Sequence, residues 1–399
     1  MTKTALVIGG GVAGMTAALA MQKAGLEPIV FERHPGSADG VGAFLTLAVN
    51  GLETLQEVDV DVTKIGGFET PRMELRLGDG RLLTAFHHGP EGADRARTRT
   101  IRRADLYGSL RREADRRGIE IRYGKSITSA ERRGDAVVAQ FGDGTAAEGE
   151  LLVGADGLRS RVRALIDPKA PDARYVGLLN AGGYARGVKV EGEVGTMHMI
   201  FGKRCFFGFM PAPDGDVWWF ANPARANDPS PAELAATSMD AWRAELLETF
   251  RDDVGPACAL IEASDEMFAG WPTYDFPTVP IWHRDRMLVI GDAAHAASPS
   301  SGQGASMAIE DGVMLGKTLR DEPDVDRAFA RYEQARRKRV ERMVVQGKRG
   351  GDGKTPGPFG RAVRDLMLRM IFTFAPVAST SDWIYAERIR WADPIARAA

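Results

Sequence analysis

Gly9, Gly11 and Gly14 are spaced as G-x-G-x-x-G, a spacing suited to holding the pyrophosphate of a dinucleotide. Gly9 permits a tight turn, Gly11 lets a phosphate reach the backbone, and Gly14 lets a helix lie close to a strand. Val12 and Ala13 open that helix, whose free N–H groups and partial positive charge favour an anion. About 20 residues further on, Glu32 offers a carboxylate to both hydroxyls of a ribose, with Arg33 beside it. A carboxylate there repels a 2′-phosphate, so FAD or NAD is favoured. A second group of residues lies far along the chain: Gly291-Asp292-Ala293-Ala294-His295, then Ser298-Pro299-Ser300-Ser301-Gly302-Gln303-Gly304-Ala305. An acid at a strand end, a glycine-rich loop and a helix start again describe an anion site. Asp292 stands where an open α/β sheet places ligand contacts. His295 invites a Ser/His reading, but no G-x-S-x-G elbow occurs, so the histidine is expected to be structural.

The elements needed to position these groups are legible around them. An apolar run ending at Ile8 reads as a strand, Ala13 to Ala24 as an Ala-rich helix, and Pro28 to Phe31 as a second strand. Gly40-Val41-Gly42-Ala43-Phe44-Leu45 is another glycine-rich loop, equally readable as a plain connection or a cofactor contact. Met73 to Leu77 and Leu82 to Phe86 flank Gly78-Asp79-Gly80 as a β-hairpin. Gly89 to Thr100 is charged and irregular and is expected to be a mobile loop. The helix that follows runs to Arg117, its arginines read as a solvated face. Leu151-Leu152-Val153 is a buried strand leading to Asp156-Gly157, which by itself reads as a turn with a helix cap. From Tyr175 to Phe220 the pattern alternates as in antiparallel strands. Asp228 to Phe250 is helical, and Met287 to Ile290 is a further apolar strand. Arg331 to Arg349 reads as a basic solvated helix, Gly347 to Gly360 as a linker, and Phe359 to Ala399 as a helical tail.

A chain of 399 residues suffices for two domains with sizeable cores, and its net charge of −2 gives no reason to expect nucleic acid. Two cysteines, Cys205 and Cys258, imply neither a disulfide framework nor a cysteine-based zinc site and fit a reducing cytoplasm. No apolar stretch reaches the length of a membrane span. The expectation is a cytoplasmic enzyme without metal or stable membrane association, monomeric or homodimeric.

Taken together, GGGVAGM followed by FER, GADGLRSRVR and GDAAHAASPSSGQGASMAIED resemble the three motifs of the group A flavoprotein monooxygenases, the single-component FAD-dependent aromatic hydroxylases. The likeness covers nearly the whole chain. It implies an α/β fold like that of para-hydroxybenzoate hydroxylase: a Rossmann-like FAD-binding domain, an inserted antiparallel β-sheet substrate lobe and a C-terminal helical tail. On that plan residues 1–72, 101–174 and 283–345 form the FAD-binding domain. Residues 73–100 give a hairpin and loop of the substrate lobe, 175–282 its body, and 346–399 the linker and C-terminal helices. The resemblance assigns Glu32 to the adenosine ribose and Arg103 to the pyrophosphate or ribityl chain. Ile127 is assigned to adenine, Asp156 to the Asp-Gly motif, and Asp292 to the ribityl or pyrophosphate portion. Gly302, Gly304 and Ala305 would turn N–H groups to the flavin pyrimidine edge, with Pro299 beside the ring. Ser306 stands where the family usually has Asn.

The implied reaction is reduction of FAD by NADPH or NADH, oxygen addition at the flavin C4a, and insertion of one oxygen atom from O2 into an aromatic or polycyclic small molecule. The nicotinamide would dock only transiently, since no second nucleotide fingerprint occurs. Epoxidation of an alkene, and reductase or oxidase chemistry without oxygen insertion, are the alternatives. A catalytic side chain is not expected, because the cofactor carries the chemistry. For the substrate, period two in the middle strands separates a face with Met199, Phe206, Gly208, Met210, Trp218 and Phe220 from one with Phe207, Phe209 and Trp219. The first face is assigned to the pocket, because a strand glycine often marks the close approach of a ligand.

Overall fold

The strand Thr4–Ile8 lies at the centre of a parallel sheet. It pairs with Glu27–Glu32 on one side and Leu151–Gly154 on the other. Glu120–Tyr123 and Met287–Val289 extend the two flanks in parallel, and His283–Arg284 closes one edge antiparallel. Gly9, Asp156 and Asp292 therefore come together, since each follows the carboxyl end of one of three adjacent strands. The computed structural model describes residues 3–36, 43–90, 92, 95–352, 354, 358–374 and 383–395. The glycine-rich stretch Gly40-Val41-Gly42 and parts of the expected C-terminal tail lie outside them.

The helix Val12–Lys23 is Ala-rich because it has no solvent face over most of its length: Val12 through Met21 are all buried. The helix Gly304–Asp321 covers it at short range. A Cβ on Gly312 would stand 2.6 Å from Ala17 N, and one on Gly316 2.6 Å from Ala20 Cβ, so only glycines admit this approach.

A seven-stranded sheet makes the second layer, in the order Ser264–Asp275, Arg174–Ala185, Val217–Asn222, Phe206–Pro211, Thr196–Phe201, Arg72–Leu77, Leu82–His87. The face carrying Phe207, Phe209 and Trp219 packs on the helices Met239–Phe250 and Ala257–Glu262 through Leu246, Phe250 and Leu260. The opposite face meets the dinucleotide domain through Phe44 and Phe68.

Three expectations are corrected, and one strand is added. The inserted sheet is not wholly antiparallel: Arg72–Leu77 pairs in parallel with Thr196–Phe201, a pairing made across a long connection that side-chain alternation does not encode. Its edge strand Ser264–Asp275 was not anticipated. The segment to Thr100 is not simply a loop, because Arg99–Arg102 is the middle strand of a small sheet with Phe44–Leu47 and Phe68–Glu69, and Thr98 and Thr100 are buried. Finally, the helix Val325–Asp352 continues through Gly347, Gly350 and Gly351 of the expected Gly347–Gly360 linker, of which Gly353 and Gly357 lie outside the described residues. The helical glycines pack on the loop after His295: a Cβ on Gly347 would be 3.2 Å from Ser298 O, and one on Gly350 3.4 Å from Ser300 O.

Candidate active site

A cavity of about 990 Å³ runs from the glycine loop to the second sheet. At the first end it is lined by Gly9, Gly11, Val12, Ala13, Glu32 and Arg33. Gly14 lies behind them and holds the helix against the strand, where a Cβ would fall 1.9 Å from Gly9 O. Gly11 faces open space, with nothing within 4 Å of where its Cβ would be, and the helix behind it has no side-chain cap. Its first N–H groups are thus free for an anion. Glu32 stands at the rim, accepting from Gly10 N at 2.8 Å and His34 N at 2.9 Å.

Arg103, Ile127, Asp156 and Asp292 line the middle of the cavity, and Pro299, Gly302, Gly304 and Ala305 its next wall. Gly302 and Gly304 are also open where a Cβ would point, and the helix Gly304–Asp321 likewise lacks a side-chain cap. Two uncapped helix starts, a rim carboxylate and a continuous cleft fit an extended dinucleotide. Asp292 is deep within the fold yet its side chain is exposed to the cavity. Burial raises its pKa, while His295 and Arg103 act in the opposite direction. Asp156 is occupied in capping: it accepts from Ser160 Oγ at 2.5 Å, Arg161 N at 2.7 Å and Val162 N at 3.1 Å. Arg163 of the helix so capped donates to Ala293 O at 3.0 Å, tying the second motif to the third.

The third motif is clamped from behind. Asp311 accepts from Gly291 N at 2.9 Å, meets His295 Nε2 at 2.5 Å and accepts from Arg336 Nε at 2.8 Å. Burial alone would raise the Asp311 pKa, but His295 and Arg336 hold it down at about 2. Glu310 pairs with Arg336 and Arg339 at 2.8 and 2.9 Å and accepts from Asn50 Nδ2 at 2.6 Å. Arg336 is fully buried, so the basic helix is not simply a solvated face. Charge patterning misses this because the partner carboxylates lie on another helix.

The sheet end of the cavity is organised in rows across strands. In one row Met199 pairs with Gly208, Gly208 with Phe220, Phe220 with Gly182, and Gly182 with Phe268. The large side chains lie over the glycines: a Cβ on Gly208 would be 2.4 Å from Phe220 Cε1, and one on Gly182 2.3 Å from Phe268 Cζ. Gly208 therefore makes room for a neighbouring ring, and the reason given for it from the sequence is corrected. Met199, Phe206 and Phe220 line the cavity, as do Met197, Phe268 and Trp271. Met210 and Trp218 belong to the next row, buried with Tyr184 beneath Phe44 and Phe68. They support the wall without reaching the space.

Residues 2–347 match the family described as FAD binding domain. The chain is 31% identical over 355 residues to the FAD-dependent urate hydroxylase of Klebsiella pneumoniae, covering 87% of this chain and 89% of that protein. It is 31% identical over 376 residues to the aurachin C monooxygenase/isomerase of Stigmatella aurantiaca, covering 92% and 94%. The chain belongs to the FAD-dependent monooxygenase family. Among solved structures, Klebsiella pneumoniae HpxO complexed with FAD and uric acid superimposes with a TM-score of 0.81 at 25% identity, covering 96% of this chain and 95% of that one.

In this monooxygenase, several cavity residues belong to no sequence motif. Asn180, Asn222, His88, Lys354 and Tyr385 supply its polar groups near the sheet. Burial lowers the His88 pKa to about 4, which keeps that ring neutral, and raises the Tyr385 hydroxyl to about 12. Strand alternation could have offered Asn222, which shares the face of Phe220. Lys354 and Tyr385 come from the C-terminal segment and carry no local signal.

Proposed function

We propose that this FAD-dependent monooxygenase uses NADPH or NADH and O2 to hydroxylate a flat aromatic or polycyclic small molecule held against the second sheet. The observation that carries the reading is the continuity of one cavity from the uncapped helix start at Gly11 to the rings of Phe220 and Trp271. The urate hydroxylase likeness supports hydroxylation of a planar ring system without naming the substrate. FAD, when bound, would supply the redox and oxygen-activating chemistry, with the nicotinamide as electron source and O2 as the source of the inserted atom.

The chain's own residues bind, orient and shield. The helix start at Gly11 would take the pyrophosphate, and Glu32 would accept hydrogen bonds from the adenosine ribose. Asp292 and Arg103, both lining the middle of the cavity, would hold the part of the cofactor between pyrophosphate and flavin. The start of the helix Gly304–Asp321, uncapped and lining the cavity, would favour negative charge on a reduced ring held there, through its dipole and free N–H groups. Phe206, Phe220, Phe268 and Trp271 present broad apolar surfaces, Phe268 and Trp271 being stacked at 5.1 Å. Such a wall orients a flat substrate and excludes water, while Met197 and Met199 adapt to its outline.

The test is a panel of phenols, aromatic polyketides and indoles incubated with FAD-loaded protein and NADPH or NADH. A member that stimulates nicotinamide oxidation and is recovered with one added oxygen atom supports the reading. Stimulated oxidation that yields only hydrogen peroxide, across the panel, counts against it.

A further inference from the structure

The polar groups at the sheet end form a directed chain. Asn180 Nδ2 donates to Thr273 Oγ1 at 2.8 Å and to the Trp271 carbonyl at 3.1 Å. Its Oδ1 accepts from Asn222 Nδ2 at 3.0 Å, across two neighbouring strands. Both amides are thereby oriented, and Asn222 Oδ1 is left as an acceptor at the cavity. Lys354 Nζ occupies it at 2.5 Å. Lys354 follows the helix Val325–Asp352, lines the cavity, is only 6% exposed, and holds its ammonium 4.4 Å from the centre of the Phe206 ring.

An ammonium has three donors, and a buried one normally meets a carboxylate or a full set of acceptors. Among the described residues, Lys354 Nζ has one hydrogen-bond acceptor and no carboxylate partner. Cys205 is the titratable group acting on it, and burial pushes that thiol up to about 12, so it is neutral. Burial lowers Lys354 to about 8, which leaves it mostly protonated at neutral pH. A clamp for the C-terminal segment would need only a neutral donor. A charged group with spare donors, set beside aromatic rings in a ligand-sized cavity, is suited to a ligand that brings the missing anion.

We propose that Lys354, oriented by Asn222, is an anion-recognition point in the substrate cavity, and that the substrate is a flat aromatic compound carrying an ionised acid group. The proposal rests on the hydroxylase reading and narrows its substrate class. The rings of Phe206 and Phe220 take the aromatic part, and the spare Lys354 donors take the acid oxygens. Substitution of Lys354 is expected to remove discrimination between an acid and its neutral isostere, rather than all binding.

The experiment uses full-length FAD-loaded protein, with 2-naphthoate and 2-naphthamide as probes and the flavin absorbance change as the readout of binding. At pH 7 the acid should bind on the order of tenfold to a hundredfold more tightly than the amide, as for a charge-assisted hydrogen bond. Lys354→Met should abolish that ratio, Lys354→Arg should keep much of it, and the exposed Lys348→Met should leave it unchanged. In the unaltered protein, acid affinity should be greatest where Lys354 is protonated and fall as pH rises past about 8, with amide affinity flat. Naphthoate stays ionised throughout, so the slope belongs to the protein. Equal affinities, an unchanged ratio in Lys354→Met, a flat pH profile for the acid, or no binding of either probe overturns the proposal. Nicotinamide-driven oxygen insertion into a neutral aromatic would then leave the hydroxylase reading standing, which separates the two failures.

Discussion

Gly208→Ala is a small change with a consequence fixed by the sheet. The added Cβ would lie 2.4 Å from Phe220 Cε1 and 2.5 Å from Cζ. Carbon atoms in contact settle at about 3.5–4.0 Å, so the ring must move by roughly 1 Å or more. Strand pairing fixes the backbone on both sides, and the space open to the ring is the cavity that Phe220 lines. Overpacking of this kind costs about 1–3 kcal/mol, and the lower end is expected because the ring has somewhere to go. The displaced ring then occupies substrate space. Urea unfolding of the variant should show that loss of stability, with FAD occupancy unchanged. The KM of a substrate found in the aromatic panel should rise by about tenfold, equivalent to about 1.4 kcal/mol. Adding Phe220→Leu should relieve the clash, giving a coupling energy of about 0.5–3 kcal/mol in the double-mutant cycle. A Gly208→Ala protein with unchanged stability and unchanged KM refutes the packing argument, as does strict additivity with Phe220→Leu.

Other consequences follow from the cofactor end and its support. Gly14→Val places side-chain atoms on Gly9 O, and Asp292→Ala removes the cavity carboxylate; both proteins should purify with little flavin, and full occupancy in either would contradict its assigned place. Arg336→Met leaves Glu310 and Asp311 buried with reduced compensation and should cost about 3–5 kcal/mol in denaturant unfolding; a loss below about 1 kcal/mol would show that the network is not holding the fold. Asp311 is held at about 2 in the folded protein, below its unfolded value of about 3.9, so its contribution is full above pH 4 and is lost as pH falls through 2. Acid unfolding should accordingly steepen between those values, and Asp311→Asn should flatten that part of the curve.

The features most legible in the sequence were those whose chemistry is local. The glycine fingerprint, Glu32 and the Asp292 loop declare themselves because each needs particular residues at fixed spacing on one strand, turn and helix. Period two separated Phe220 from Trp219 because adjacent strand residues must face opposite ways. What lay across strands was hidden. Gly208 could be seen as a place lacking a side chain, but that Phe220 fills it depends on register. Trp218 shares the face of Phe220, yet one row of displacement puts it beneath Phe44 instead of in the cavity. Arg336 looked like one more cation on a basic helix, because nothing near it in sequence reveals Glu310 and Asp311. The glycines around 350 read as a linker, although their lack of side chains serves close packing against Ser298 and Ser300. Lys354 was hidden in the same stretch.

The proposed hydroxylation requires one continuous cavity to bring flavin-activated oxygen to an aromatic substrate. Its most direct measurement is turnover of an active aromatic compound by FAD-loaded protein with NADPH or NADH under isotopically heavy oxygen gas, followed by mass spectrometry of the product. One heavy oxygen atom is expected in the product, with the label absent when heavy water replaces heavy oxygen gas. An unlabelled product, or an unchanged substrate with all consumed oxygen recovered as hydrogen peroxide, would contradict it.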